Sequence, residues 1–195
     1  MKEDNNNLTG QQSLEIITKM IEAAKGNMRR GSFYFLFWGW LVLFCSLGQY
    51  FLLNFTECKY PYIVWLLVIL GMIISSIYSY LNERKVKVRT HFDVVYIMVW
   101  MTFIFGYVIV LLLMSKINYI VSPLILLLAG NATFLSGIIL KFRPLIFGGI
   151  MFWVFTILTI YLNHNISDLL VSVAVLLGYL IPGYMLRSSY KKNNA

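Results

Sequence analysis

Long apolar stretches separated by short polar connectors dominate the pattern of this chain. The first is an uncharged run of 22 residues at 32–53. A helix of that length, rising 1.5 Å per residue, spans about 33 Å and crosses the hydrocarbon core of a bilayer. Five further stretches follow at 61–81, 92–114, 119–140, 144–162 and 169–186. The pattern therefore predicts an all-α integral membrane bundle of six transmembrane helices.

A different pattern precedes the first apolar stretch. Leu14, Ile17 and Ile21 recur at helical spacing, and charged residues fill the opposite face. This predicts a cytoplasmic amphipathic helix over about 10–27. It either lies on the membrane surface or packs under its own bundle. The predicted division of the chain is an N-terminal segment at 1–31, a six-helix transmembrane domain at 32–186 and a tail at 187–195.

Basic residues are distributed unevenly between the connectors. If the six spans alternate in direction, only Lys59 and Lys116 fall on one side, and the other 14 of the 16 Lys and Arg residues fall on the opposite side. Because cytoplasmic loops carry the excess of Lys and Arg, both termini are predicted to be cytoplasmic. The same topology explains the net charge of +8, so no nucleic-acid partner is expected.

Composition supports placement in a membrane. Hydrophobic residues make up 59% of the chain and charged residues 12%, with a mean hydropathy of +0.75. Soluble domains carry about 25% charged residues. A chain with half that share of charge cannot cover a water-exposed surface, so lipid is the expected surroundings of the bundle.

Asn131 is the clearest polar residue at mid-depth, near the centre of the fourth span. Hydrocarbon satisfies neither the donors nor the acceptors of an amide. We therefore expect Asn131 to point inward and to form a hydrogen bond with another helix. The alternative is a polar membrane site for a ligand or ion, formed by Asn131 together with Thr133.

The most basic connector lies between the second and third spans. Its candidate contacts for anionic lipid headgroups are Arg84, Lys85, Lys87 and Arg89. Juxtamembrane clusters of this kind attract anionic lipids. Membrane topology alone explains the same charges equally well.

Enzyme signatures are missing from the sequence. It has no HExxH, no GxSxG and no glycine-rich phosphate loop. His91 with Asp93, and His164 with Asp168, lie at membrane edges, and two ligands do not make a metal site. We therefore expect no catalytic residue, cofactor or metal, and predict a chain that is not an enzyme.

Small residues recur at every fourth position in three of the spans. The stripes are Gly71, Ser75 and Ser79 in the second span, Ala129, Thr133 and Gly137 in the fourth, and Ala174 and Gly178 followed by Pro182 in the sixth. Small residues let membrane helices approach closely, so these stripes are predicted to face other helices. Pro182 is expected to bend or end the sixth span.

Two segments carry a resemblance to known proteins. They are RGSFYFLFWGWL at 30–41 and FLSGIILKFRPLIFGG at 134–149. Together they resemble an uncharacterised family of small multi-pass inner-membrane proteins from Bacteroides-like bacteria, over most of the chain after residue 10. The resemblance implies a bacterial inner-membrane location and carries no activity. At positions 131 and 132 the resemblance leads us to expect an apolar residue or proline, but this chain has Asn131 and Ala132.

Two functions are compatible with these features. The leading interpretation is a non-enzymatic accessory or interaction component that contacts a cytoplasmic or membrane protein through the 10–27 helix and the basic loops. The alternative is a small transporter or channel with a polar site near Asn131, since the two three-span halves have opposite orientations. Halves related by a two-fold axis in the membrane plane, with a wet cavity at Asn131, would favour transport. A packed core with Asn131 hydrogen-bonded to a neighbouring helix would favour the interaction component.

Overall fold

A computed structural model of the protein describes residues 10–56, 60–83, 91–162 and 166–192. Its elements, in chain order, are α1 (Gly10–Phe55), a 3-10 turn (Pro61–Trp65), α2 (Leu66–Glu83), α3 (His91–Leu112), α4 (Ser122–Ile139), α5 (Arg143–Tyr161), α6 (Ser167–Val175), a π-helical segment (Leu176–Leu180) and α7 (Ile181–Lys192). The last three elements form one span. Six helical segments are long and apolar enough to cross a membrane, which confirms the predicted six-helix, all-α bundle.

The first helix is much longer than a membrane span. α1 has 46 residues, which corresponds to about 69 Å. The helix predicted at 10–27 and the first span are therefore parts of one continuous helix, with no connector between them. The side chains of residues 10–31 lie outside the described part of the structure, so the amphipathic character of this segment stays a prediction.

The helices pack in an order that differs from their order in the chain. α1 packs against α2 on one side and against the last span on the other. The last span packs against α5, α5 against α4, and α4 against α3. α2 and α3 are peripheral. Little of the apolar stretch of α2 is buried, and none of that of α3 is. The core is therefore formed by α1, α4, α5 and the last span.

Phe152 of α5 lies at the centre of this core. Its side chain is fully buried, and its ring centroid is 4.7 Å from that of Tyr179 in the last span. Tyr179 in turn lies 5.7 Å, ring to ring, from Phe35 of α1. Gly178 leaves room for the Phe152 ring, because a Cβ at that position would lie 2.3 Å from it.

Glycines also allow α4 and α5 to pack closely. A Cβ on Gly137 would lie 2.7 Å from the backbone nitrogen of Ile146, and one on Gly149 would lie 2.7 Å from that of Phe134. The small-residue stripes of the fourth and sixth spans are buried throughout, which confirms their predicted orientation. Of the stripe in the second span, only Gly71 is buried, while Ser75 and Ser79 are half-buried.

The last span continues past Pro182 instead of ending there. The Ile181 N–H donates to the carbonyl of Leu176, five residues earlier, so the helix widens to π geometry before the proline. Pro182 has no N–H for the carbonyl of Gly178. That oxygen faces Gly148 of α5, where a Cβ would lie 2.6 Å from it. The predicted irregularity is therefore present, without a helix end.

The turn between α4 and α5 holds Lys141 in the left-handed region, with φ 52°. The Phe142 N–H donates to the Gly137 carbonyl at 2.9 Å, and the Lys141 N–H donates to the Ile138 carbonyl at 3.1 Å. This pair of bonds is the Schellman motif, in which glycine is the usual residue at the left-handed position. Lysine therefore strains this turn.

Replacing this lysine by glycine is expected to stabilise the protein. Lys141→Gly should raise the free energy of unfolding by about 1 kcal/mol, because the left-handed conformation costs an L-residue about that much. Thermal unfolding in detergent measures the change. Lys141→Ala is the matched control, since it removes the same charge but retains a Cβ. Equal melting temperatures for the two variants would contradict the explanation.

Candidate functional site

Asn131 lies near the middle of the 18-residue helix α4. The Trp153 indole N–H of α5 donates to its side-chain oxygen at 3.0 Å. This confirms the predicted hydrogen bond to another helix. The predicted inward orientation is wrong, because the Asn131 side chain is exposed on the outer surface of the bundle.

The orientation follows from helix geometry. The face of α4 that carries Ala129, Thr133 and Gly137 is turned toward the core. Each residue of a helix advances about 100°, so position 131 lies about 200° from both 129 and 133. The residue midway between two positions of such a stripe therefore points away from the core, whatever its polarity.

Trp153 was not predicted as the partner of Asn131. Both residues lie 11 positions from Phe142, which ends the turn between α4 and α5. A tight antiparallel hairpin places such equidistant positions side by side. The short connector at 141–143 therefore predicts that Asn131 and Trp153 are neighbours, once the helix ends on either side of it are known.

Thr133 lies in the interior of the bundle. Its side chain is fully buried, and its hydroxyl donates to the Ala129 carbonyl at 2.6 Å. Asn131 and Thr133 therefore face opposite sides of α4 and do not form one polar site. This corrects the predicted pairing of the two residues.

A small polar cluster that the sequence analysis missed surrounds Ser136. This serine is fully buried, and its hydroxyl makes no hydrogen bond among the described residues. The Tyr96 hydroxyl of α3 lies nearby, as does the Trp100 indole N–H, which is also without a hydrogen bond in the described part of the chain. The Ser136 oxygen and the Trp100 nitrogen are both buried, so these polar groups lie inside the described bundle.

The basic connector is not part of the described structure. Arg84, Lys85, Lys87 and Arg89 all lie within the stretch between Glu83 and His91. Their predicted contacts with lipid headgroups therefore stay a prediction.

A groove opens on the other side of the bundle, between α1, α2 and α7. Its volume is about 910 Å³, near the upper limit of about 1,000 Å³ for small-molecule pockets. Aromatic and aliphatic side chains form most of its wall, including Phe37, Leu41, Phe44, Leu67, Leu70 and Ile74. One end is polar and contains Ser32, Tyr78, Tyr184 and Arg187. We call this feature the α1–α2–α7 groove.

The polar end of the groove is organised by a hydrogen bond between distant helices. The Trp40 indole N–H of α1 donates to the Tyr184 hydroxyl oxygen of α7 at 3.1 Å. Arg187 follows Tyr184 by three residues and so lies on the same face of α7. No local sequence signal points to this arrangement, because Trp40 and Tyr184 are 144 residues apart.

Among the described residues, no group of three or more His, Cys, Asp or Glu side chains is placed to hold a metal ion. The chain was also compared with known proteins. No protein-family model, no curated protein and no solved structure matches it.

Proposed function

We propose that this chain is a non-enzymatic interaction component of the bacterial inner membrane, with both termini in the cytoplasm. The six apolar helices and the one-sided distribution of Lys and Arg support the location and orientation. The observation that carries the proposed activity is the outward-facing amide of Asn131 at mid-span. We interpret it as a contact point for another transmembrane helix.

The side-chain amide of Asn131 has unused hydrogen-bond donors. Its oxygen accepts the Trp153 N–H, but its NH₂ group donates to nothing within the described residues. An asparagine side chain carries two such donors, and lipid tails offer no acceptor. Asparagine side chains in membranes form hydrogen bonds across helix interfaces. An acceptor on a further helix would satisfy this group.

The surroundings of Asn131 favour a second copy of the same chain. Leu124 and Ile138 lie seven residues before and after it, and both are exposed. Leu127 and Leu135, also exposed, complete an apolar stripe along the outer face of α4. A single asparagine in an apolar heptad pattern aligns two identical helices.

The amide itself is suited to a symmetric contact. It has both donors and an acceptor oxygen with a second lone pair. Two copies related by a two-fold axis present the same surface to each other. Each Asn131 can therefore donate to the oxygen of the other while both keep their bond to Trp153. We propose a homodimer formed through the outer face of α4.

The transport alternative has less support from the geometry. It requires a polar cavity at Asn131, and neither Asn131 nor Thr133 lines the α1–α2–α7 groove. The Asn131 oxygen is instead bonded to a neighbouring helix, which is the arrangement expected of an interaction component.

Asn131→Leu is expected to weaken self-association in lipid about tenfold. Hydrogen bonds between membrane helices contribute about 1–2 kcal/mol in model peptides, and leucine retains the apolar packing. Single-molecule photobleaching across a series of protein-to-lipid ratios measures the dimer fraction. Asn131→Gln is the matched control, because it retains the amide and is expected to dimerise. A wild-type protein that stays monomeric at all ratios would overturn the proposal.

Cysteine cross-linking tests where the two copies meet. In a background with Cys45 and Cys58 replaced by alanine, Leu127→Cys is expected to form a disulfide-linked dimer in membranes. Leu112→Cys on α3 is the control, since it is 77% exposed but lies on a different helix. Cross-linking at Leu112 as efficient as that at Leu127 would indicate random collision and contradict the proposed face.

A further inference from the structure

We propose that the α1–α2–α7 groove is a binding site for one anionic phospholipid, with an acyl chain along the apolar wall and the phosphate at Arg187. This site lies on a different face of the bundle from the outer face of α4. Lipid binding in the groove therefore does not depend on the proposed dimer.

The length of the groove matches one leaflet of a bilayer. Its α1 wall extends from Ser32 to Phe44, which is about 18 Å of helix. The hydrocarbon core of a bilayer is about 30 Å thick, so one leaflet contributes about half of that. The apolar wall therefore extends over the depth that a lipid chain occupies, and it ends where a headgroup lies.

The groove is open toward the membrane. Phe44 and Leu67, near its apolar end, are 60% and 46% exposed, and Leu70 and Ile74 of α2 are 55% and 50% exposed. A chain that lies against these side chains can enter sideways from the bilayer. A water-soluble ligand would have to place its polar groups against the same hydrocarbon surface, which is unfavourable.

The polar end selects the charge of the headgroup. Arg187 is exposed and forms no ion pair with any residue that the structure describes. The lining contains no aspartate or glutamate. A guanidinium group binds phosphate through paired N–H donors. The unpaired positive charge at this end of the groove therefore complements an anionic headgroup.

Tyr184 supplies a second donor beside Arg187. Its oxygen accepts the Trp40 N–H, which fixes the position of the hydroxyl. The hydrogen of the same hydroxyl remains free to donate to a phosphate or ester oxygen. Because both side chains are donors on one face of α7, the site recognises an acceptor-rich, negatively charged group.

The test uses the full-length protein in detergent, titrated with phosphatidylglycerol or phosphatidylcholine of identical chains and followed by native mass spectrometry. The wild type is expected to bind one phosphatidylglycerol about fivefold more tightly than phosphatidylcholine, the effect of one arginine near an anionic lipid. Arg187→Gln should remove this preference. Arg143→Gln is the matched control, since Arg143 is an exposed arginine outside the groove.

A second pair of variants tests the apolar wall. Ile74→Trp fills the groove and is expected to reduce binding of both lipids. Ile73→Trp should leave binding unchanged, because Ile73 is equally exposed at 51% but does not line the groove. This pair tests the site even if Arg187→Gln fails to fold.

Four results would overturn the inference. Equal wild-type affinity for the two lipids would show that the groove does not discriminate between headgroups by their charge. Equal effects of Arg187→Gln and Arg143→Gln, or of Ile74→Trp and Ile73→Trp, would place binding elsewhere. In the fourth result, inorganic phosphate alone stabilises the wild type against heating as strongly as phosphatidylglycerol does. That result would show that the polar end binds a free anion and not a lipid. None of these results depends on whether the protein dimerises through α4.

Discussion

Gly178→Ala is expected to destabilise the bundle by about 3 kcal/mol, the upper end of the usual cost of overpacking a core. The added Cβ would lie 2.3 Å from the Phe152 ring. That ring is fully buried and lies against Tyr179, so it has no free space to move into. Alanine gains about 1 kcal/mol in helix propensity over glycine, and the clash outweighs this gain.

A double-mutant cycle isolates the cause. Phe152→Val removes the ring atoms that the new Cβ meets, so in that background Gly178→Ala is expected to be neutral or stabilising. Unfolding in mixed micelles, monitored by tryptophan fluorescence, gives the four free energies. Residues in direct contact show coupling of about 0.5–3 kcal/mol. If the two effects simply add, Phe152 is not what restricts position 178.

The transmembrane architecture was predictable because the bilayer imposes it. A span of about 20 apolar residues is a physical requirement for crossing a membrane as a helix, and each of the six stretches meets it. The small-residue stripes of the fourth and sixth spans were predictable for a related reason. Close packing of backbones is one of the forces that associate helices in lipid, and glycine at 137 and 178 permits it.

The orientation of Asn131 was not predicted, because the prediction considered its polarity and not its phase on the helix. Ala129 and Thr133 belong to the buried stripe, so position 131 had to face outward. The polar group is then satisfied by Trp153 across the hairpin. A prediction that combined the stripe with the hairpin register would have placed both residues on the outer surface.

The α1–α2–α7 groove could not be predicted from sequence. Its polar end joins Trp40 of α1 to Tyr184 of α7, and nothing local to either residue indicates that these helices are neighbours. The packing order makes them so, because the last span returns to α1 while α2 and α3 stay peripheral. Tertiary arrangement thus created the feature that carries the inferred lipid site.

A close backbone contact in the hairpin formed by α4 and α5 leads to the second large effect. Gly149→Ala is expected to destabilise the protein by about 2–3 kcal/mol. Its Cβ would lie 2.7 Å from the backbone nitrogen of Phe134 and 2.8 Å from its Cα. Backbone atoms cannot rotate away as a side chain can, so the two helices would have to separate.

Gly48→Ala is the matched control for Gly149→Ala. Its Cβ would meet only the Val64 side chain, at 3.3 Å, so it is expected to be neutral or to stabilise the protein by up to about 1 kcal/mol through helix propensity. Thermal unfolding in detergent compares the two variants. A similar loss in both would mean that glycine is needed for flexibility and not for close packing.

Gly149→Ala also links the hairpin to the proposed function. Asn131 is on α4 and Trp153 is on α5, so helices forced apart at Gly149 would lengthen the 3.0 Å bond between them. Gly149→Ala is therefore expected to lower the dimer fraction in lipid as well as the stability, whereas Gly48→Ala should lower neither. A Gly149→Ala protein that loses stability but dimerises as the wild type does would show that the contact between copies does not require the Asn131–Trp153 pair.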